Sequence, residues 1–223
     1  MTGYLASPQG AGPHPGVLVM HSALGPGDLV RRRADDLAAL GYVALAPDMY
    51  GVGRELSREE SGPHFLALQN DPAELRVRVR AAFDALAARD DVDAARIGAI
   101  GYCFGGQCAL ELARSGAQVR AVVSFHGLLR TSSPAVSGVV RADVLSISGA
   151  LDPYIPAADV ADFQLEMTTA GVRWQTTVYS AGMHAFTDPA TGDIPGTGYD
   201  PVLDRLSWAQ AVAFLDATVL SVA

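Results

Sequence analysis

Short uninterrupted apolar runs alternate along the chain with longer segments in which apolar residues recur at helical spacing. The strand-like runs cover residues 17–20, 42–46, 97–100, 119–125, 144–148 and 173–179. Runs this short, bounded by glycine, proline or polar residues, are typical of strands buried on both faces of a parallel sheet. The alternation predicts an α/β protein with a mostly parallel, doubly wound sheet flanked by helices.

The segments between the runs differ in how clearly they predict helices. Asp71 is expected to cap a helix with Pro72 in its first turn, and Pro201 is expected to open the last helix. Residues 3–6 form a candidate short edge strand. Residues 49–70 show no sustained period, so we predict a long loop over the sheet edge there.

Composition adds limits to this picture. The 223 residues are 49% hydrophobic, enough for one sizeable core, and we expect a single domain over residues 1–223. The net charge is −8, and the 16 basic residues are all arginines that are spread along the chain apart from one triplet. This distribution argues against nucleic acid or an anionic membrane as a partner.

Two cysteines are too few for a disulfide framework and fit a reducing compartment. The first 16 residues carry no basic region, and no apolar run reaches the ~18 residues of a membrane span. We therefore expect a cytoplasmic protein, monomeric or a small homo-oligomer, with no cofactor and no metal.

Gly101-Tyr102-Cys103-Phe104-Gly105 stands between an apolar run and a segment of helical spacing. A strand, a sharp turn and a helix in that order form a nucleophile elbow, in which small residues two before and two after the nucleophile prevent collisions. The turn places Cys103 at a helix amino end, where free N–H groups favour a thiolate. The sequence therefore predicts a cysteine nucleophile.

Asp152 and His184 each follow a later strand run, in the chain order of an α/β-hydrolase triad. Because the carboxyl ends of parallel strands meet at one edge of the sheet, Cys103, Asp152 and His184 are expected to lie together. His184 would then take the thiol proton, and Asp152 would hold the imidazole in the right tautomer.

The chain resembles the dienelactone hydrolase (carboxymethylenebutenolidase) family over nearly its whole length. The matching segments are 3–6, 15–17, 41–48, Gly101-Tyr102-Cys103-Phe104-Gly105-Gly106, Asp152-Pro153 and His184-Ala185-Phe186. The motif from Gly101 to Gly106 is specific because it has a cysteine, Cys103, at the nucleophile position, where most α/β-hydrolases carry serine. The resemblance implies an α/β-hydrolase fold and cleavage of a small-molecule ester or lactone through an acyl-thioenzyme.

By that resemblance Cys103, Asp152 and His184 form the triad. The oxyanion hole is expected from the backbone N–H of Phe104 together with that of Ala23, or of Leu24. The residues expected around the substrate are His21, Ser22, Leu24, Tyr102, His126 and Phe186.

Two positions depart from the family pattern. Ser22 stands where the family has a glutamate that partners the resting thiol, and Asp188 stands where it has an arginine that binds the substrate carboxylate. We therefore expect neutral rather than dicarboxylate substrates. If a carboxylate substrate is preferred, Arg54, Arg76 and Arg80 are the first candidates to bind it.

Two alternatives remain open from the residues alone. Cys103 could be oxidised or trapped by an electrophile and then resolved by Cys108. His21, His126 and His184 could instead converge on a zinc ion that keeps a water in its open position.

Overall fold

A seven-stranded sheet forms the centre of the computed structural model, which describes residues 2–220. The strands are β1 (Gly3–Ala6), β2 (His14–Met20), β3 (Val43–Pro47), β4 (Val92–Tyr102), β5 (Ala121–Phe125), β6 (Asp143–Gly149) and β7 (Trp174–Tyr179). Their order across the sheet is β1-β3-β2-β4-β5-β6-β7. Among these strands only β1 runs antiparallel to its neighbour. The predicted mostly parallel sheet is confirmed.

Helices cover both faces of this sheet. They are α1 (Asp28–Ala39), α2 (Arg58–Gln69), α3 (Pro72–Ala87), α4 (Phe104–Arg114), α5 (Ala157–Thr169) and α6 (Pro201–Leu215), the last continued by a π-helical turn, Asp216–Leu220. One core layer packs α1 and α6 against the sheet, and the other packs α3, α4 and α5. The predicted doubly wound arrangement is therefore present.

Strand β2 shows why the strand runs lack polar positions. Val17 and Val19 belong to the α1/α6 layer, whereas Leu18 and Met20 belong to the α3/α4 layer, and all four are 0% exposed. Side chains alternate between the two faces of a strand, so a sheet covered on both faces needs apolar residues at every position.

The prediction of a continuous loop over residues 49–70 is wrong in its second half, where α2 lies. Ser57 caps this helix by accepting a hydrogen bond from the Glu60 N–H, and the Glu60 carboxylate accepts one from the Ser57 N–H. Only Ser61 and Leu68 are buried, and Pro63 interrupts the helix interior. A helix with so few buried positions produces no apolar period, although Ser57-x-x-Glu60 is a capping-box pattern.

The loops after β2, β4, β5, β6 and β7 meet at the carboxyl edge of the sheet. They contain residues 21–24, Cys103, His126, Asp152 and His184, respectively. The parallel topology thus collects polar residues that are far apart in the sequence. Within residues 2–220, no helix has the length and apolar character needed to cross a membrane.

Candidate active site

Cys103 occupies a strained turn between β4 and α4. Its backbone has φ 55° and ψ −116°, a conformation that non-glycine residues rarely adopt. A Cβ on Gly101 would lie 1.9 Å from the Gly105 carbonyl oxygen, and a Cβ on Gly105 would lie 2.2 Å from that of Met20. Both positions of the elbow therefore require glycine, because the strand and helix backbones touch there.

The surroundings of the Cys103 thiol favour its ionised form. Burial alone would raise the pKa of Cys103, but His184 and the backbone N–H groups of Phe104 and Ala23 together lower it below its usual value. The two N–H groups that interact with the sulfur are the pair expected to form the oxyanion hole. A thiolate here is thus stabilised by the charge of His184 and by two backbone N–H groups.

His184 and Asp152 are joined directly. The distance from His184 Nδ1 to Asp152 Oδ2 is 2.7 Å, and the other carboxylate oxygen accepts a hydrogen bond from the Tyr154 N–H at 2.8 Å. Burial acts to lower the pKa of His184, but the Cys103 thiolate and the Asp152 carboxylate outweigh it and raise the pKa to about 10. The imidazole is therefore oriented by Asp152 and charged when Cys103 is ionised.

His126 lies beside this pair and is neutral, in contrast to His184. Its ring centroid is 5.2 Å from that of His184, and its Nε2 is 2.8 Å from the Thr187 hydroxyl. Burial and the charge of His184 lower the pKa of His126 well below its usual range. His126 is therefore a neutral neighbour that does not compete for the proton carried by His184.

The loop that carries Ala23 is held in place by hydrogen bonds from His21 and Tyr50. His21 Nδ1 donates to the Ser22 carbonyl oxygen at 2.6 Å, and its Nε2 accepts from the Met49 N–H at 3.0 Å. The Tyr50 hydroxyl donates to the Ala23 carbonyl oxygen at 3.1 Å. His21 is 0% exposed, and these hydrogen bonds hold the loop that carries Ala23 against the segment after β3.

A cavity of about 280 Å³ opens above Cys103. Its wall is mainly apolar and includes Ala23, Leu24, Leu29, Phe65, Tyr102, Leu128, Tyr154 and Ile194. Besides the catalytic candidates, the charged side chains in this wall are Arg58 and Asp188. The cavity thus suits a small, largely apolar group and carries one charge of each sign.

The structure places four of the six expected pocket residues in the wall, namely Ser22, Leu24, Tyr102 and His126. The expectation for His21 and Phe186 needs correction, because both lie beneath the wall at 0% exposure. His21 hydrogen-bonds to the backbone of Ser22 and Met49, and the centroid of the Phe186 ring lies 5.2 Å from that of His126. Both residues support the cavity without facing it.

The three arginines that the sequence suggested as alternative carboxylate binders all have partners outside the cavity. Arg54 pairs with Glu60 at 2.6 Å, and Arg76 pairs with Glu111 at 2.7 Å. Arg80 donates to the Ser115 carbonyl oxygen at 3.2 Å. Arg58, which the sequence did not single out, is the arginine in the cavity wall.

Further wall residues were not predicted, and the sequence contains a usable signal for only some of them. Leu128 and Tyr154 lie just after strand ends, within three residues of positions that had been recognised. Phe65 and Arg58 belong to α2, so they could not be placed without that helix. Ile194 lies in the loop before α6, where no pattern in the sequence predicts a path.

The geometry favours neither alternative reading of these residues. Both ring nitrogens of His21 already have backbone partners, and residues 2–220 contain no group of three or more side chains placed to hold a metal ion. Cys108 is 0% exposed, and burial followed by the charge of Glu111 raises its pKa well above the usual value. A buried, protonated thiol is a poor resolving group.

The parallel sheet, the strained elbow and an acid and histidine on later loops define an α/β-hydrolase. Within that class, the chain belongs to the dienelactone hydrolase family, whose family model matches residues 1–219. The protein is therefore an ester or lactone hydrolase.

Individual relatives span most of the chain. A Bradyrhizobium protein named "Probable 2-oxo-3-(5-oxofuran-2-ylidene)propanoate lactonase" is 30% identical over 95% of this chain and 87% of its own. The solved structure of the dienelactone hydrolase-like promiscuous phosphotriesterase P91, from metagenomic libraries, has a TM-score of 0.88 at 36% identity and covers 94% of this chain and 88% of P91. A structure named m3DLH has a TM-score of 0.90 at 40% identity, covering 97% of this chain and 92% of its own.

Proposed function

We propose that this hydrolase uses Cys103 as nucleophile, His184 as general acid and base, and Asp152 to orient His184. The observation that carries the proposal is that the His184 imidazole and the N–H groups of Phe104 and Ala23 all lower the pKa of the Cys103 thiol, while His184 Nδ1 lies 2.7 Å from Asp152 Oδ2. A base and two oxyanion donors then meet at the nucleophilic sulfur, and a carboxylate orients the base.

In the first half of the reaction, the thiolate attacks the ester carbonyl carbon and forms a C–S bond. The carbonyl oxygen becomes an oxyanion beside the N–H groups of Ala23 and Phe104. As the tetrahedral intermediate collapses, the C–O bond to the alcohol breaks, and the His184 imidazolium gives its proton to the departing oxygen. The product of this half is an acyl-thioenzyme and a free alcohol.

In the second half, water attacks the thioester. Neutral His184 removes a proton from the water, the C–S bond breaks, and the Cys103 thiolate leaves with the carboxylic acid released. Asp152 stabilises the imidazolium that forms in this step. For a lactone, acid and alcohol are released as one hydroxy acid.

The substrate proposed for this chemistry is a neutral ester or lactone. The cavity wall is mainly apolar and aromatic, and the single guanidinium of Arg58 is balanced by the carboxylate of Asp188. A carboxylate-bearing substrate would have to approach Asp188, and a like charge in a partly desolvated site costs binding energy.

Hydrolysis of p-nitrophenyl acetate by purified Cys103→Ala protein tests the mechanism. We expect a loss of about 10³-fold or more in kcat/KM, because the acyl-enzyme cannot form without the sulfur. Cys108→Ala is the matched control and should keep most of the activity, since that thiol lies in the core. If Cys103→Ala keeps more than about a tenth of the activity, a loss under ~1.4 kcal/mol in barrier, Cys103 is not the nucleophile.

A further inference from the structure

A second cavity of about 670 Å³ adjoins the one above Cys103. The two cavities share three wall residues, Phe65, Leu128 and Tyr154. The second cavity is bounded by the end of α2, the start of α3, the loop after β5 and the segment that leads into α5. A substrate in the catalytic cavity could therefore extend past the shared residues into the second one.

Neutral polar groups distinguish the second cavity from the first. Its wall contains three carboxamides, Gln69, Asn70 and Gln107, and the hydroxyl residues Thr131 and Ser132. The catalytic cavity, by contrast, is lined mainly by apolar and aromatic side chains. Carboxamides and hydroxyls both donate and accept hydrogen bonds, which suits a ligand that carries several hydroxyl groups.

Gln107 indicates that this wall is built to receive a ligand. It lies in the first turns of α4, is 5% exposed, and its Oε1 has no hydrogen-bond partner within residues 2–220. Leaving a buried polar group unpaired costs about 1–3 kcal/mol, so a hydroxyl group bound in this cavity that pairs with the Gln107 carboxamide would offset that cost.

The loop that forms one wall is held rigidly. Arg114 donates to the Leu129 carbonyl oxygen at 2.9 Å, and Arg76 donates to the Ser133 hydroxyl at 3.0 Å. Both arginines pair with Glu111, which is 0% exposed, at 2.9 Å and 2.7 Å. Because these ion pairs fix the loop, the cavity does not depend on its ligand to stay open.

Charge in the second cavity is internally balanced. Asp159, which is 4% exposed, pairs with Arg130 at 2.7 Å, and no other carboxylate or arginine of the described chain lines this cavity. The remaining polar groups are neutral. The ligand chemistry that fits is therefore uncharged and hydroxylated.

Tyr154 shows which part of a substrate reaches this cavity. Its ring packs edge-on against that of His184, with the centroids 4.9 Å apart. His184 protonates the departing alcohol in the mechanism proposed above, so the alcohol portion of the ester leaves on this side. The second cavity therefore lies beyond the leaving group rather than beyond the acyl group.

We propose that the second cavity binds the alcohol portion of the substrate, and that this portion is a neutral polyhydroxylated group such as a sugar or polyol. The proposal rests on the hydrolytic function proposed above. Gln107 and Asn70 hydrogen-bond the hydroxyl groups, while the aromatic rings of Phe65 and Tyr154 contact the carbon skeleton between the two cavities.

The test compares two acetate esters, 6-O-acetylglucose and p-nitrophenyl acetate. Both give the same acetyl-enzyme, so the ratio of their kcat/KM values reports how the alcohol portion is recognised. Gln107→Met and Asn70→Ala should each lower this ratio, sugar ester over aryl ester, by about fivefold or more, as expected for a lost hydrogen bond to a hydroxyl. Gln175→Met, the matched change on the exposed face of β7, should leave the ratio within about twofold of wild type.

Equal losses on both esters, or an unchanged ratio in Gln107→Met and Asn70→Ala, would overturn the proposal. Gln107 is buried, so a thermal melt accompanies its variant, and Asn70→Ala, at an exposed position, decides the question if Gln107→Met does not fold. Failure of the proposed function would look different: wild type would then cleave neither ester, or Cys103→Ala would remain active. A wild type that cleaves the aryl ester but not the sugar ester would overturn the alcohol subsite alone.

Discussion

At the scale of single residues, the charge state of the resting thiol follows from what surrounds it. Ser22, in the adjoining loop, carries no charge that would oppose the thiolate, and Phe104, Ala23 and His184 all stabilise the negative sulfur. Because the pKa of Cys103 is lowered and that of His184 is raised to about 10, the thiolate–imidazolium pair should form at a lower pH than an ordinary thiol needs to ionise. Alkylation by iodoacetamide should then proceed well below pH 8, under the usual thiol pKa of about 8.5.

This prediction is checked by following the rate of Cys103 alkylation from pH 5 to 10 by mass spectrometry. A Cys108→Ala background removes the second thiol, whose raised pKa should make it unreactive in any case. An alkylation rate that rises only above pH 8 would show that the thiol rests protonated and that Ser22 does not have the effect assigned to it.

A second prediction at this scale concerns Asp152. Asp152→Asn keeps the size of the side chain but removes the charge that stabilises the His184 imidazolium, and an amide can leave His184 in the wrong tautomer. We expect kcat for p-nitrophenyl acetate to fall by about 10³-fold or more, with little change in KM. Asp93→Asn, in a partly exposed pair with Arg96, is the control. A loss smaller than tenfold would mean that the carboxylate only supports the fold.

At the scale of elements, the elbow brings β4 and α4 so close together that the stability of this part of the sheet depends on its glycines. A methyl group at Gly101 would meet the Gly105 carbonyl at 1.9 Å, and neither backbone can move without disturbing β2. Gly101→Ala should lower the free energy of unfolding by about 3 kcal/mol or more. Urea denaturation of the purified variant measures this change.

Gly62→Ala is the matched control for the elbow. Gly62 lies inside α2 with nothing within 4 Å of the added carbon, and its φ is not positive. Alanine is the better helix former by about 1 kcal/mol, but Pro63 disfavours helical backbone at a preceding residue that carries a Cβ, so this change should be close to neutral. Similar urea midpoints for the two variants would contradict the elbow packing described here.

The elements also show what the sequence could predict. The elbow and the order of Cys103, Asp152 and His184 were predictable, because local glycine spacing and the parallel-strand rule constrain them strongly. Helix α2 was not, because it buries too few residues to produce a period, and Arg58 and Phe65 were missed with it. The second cavity could not be predicted from the sequence either. Gln107 lines it only because the facing loop is fixed by ion pairs between residues that are distant in the sequence.

At the scale of the whole molecule, charge should decide which substrates are accepted. The chain carries −8 overall and no lysine. Arg58 is the arginine in the wall of the catalytic cavity, and Asp188 faces the same space. An approaching anion therefore meets a negative molecule first and a cavity of balanced charge afterwards, which gives it no net electrostatic gain.

We accordingly expect the methyl ester of a carboxylate-bearing dienelactone to be hydrolysed with a kcat/KM on the order of a hundredfold above that of the free acid, about 2.7 kcal/mol in barrier. Asp188→Asn should narrow the difference by improving turnover of the free acid, whereas Arg58→Gln should widen it, because each changes one of the two opposing charges. Raising the salt concentration from low to physiological should also narrow it, to the extent that exposed charge is responsible. If the free acid is instead the better substrate in wild type, and Arg58→Gln abolishes that preference, the guanidinium outweighs Asp188 and the protein selects carboxylates.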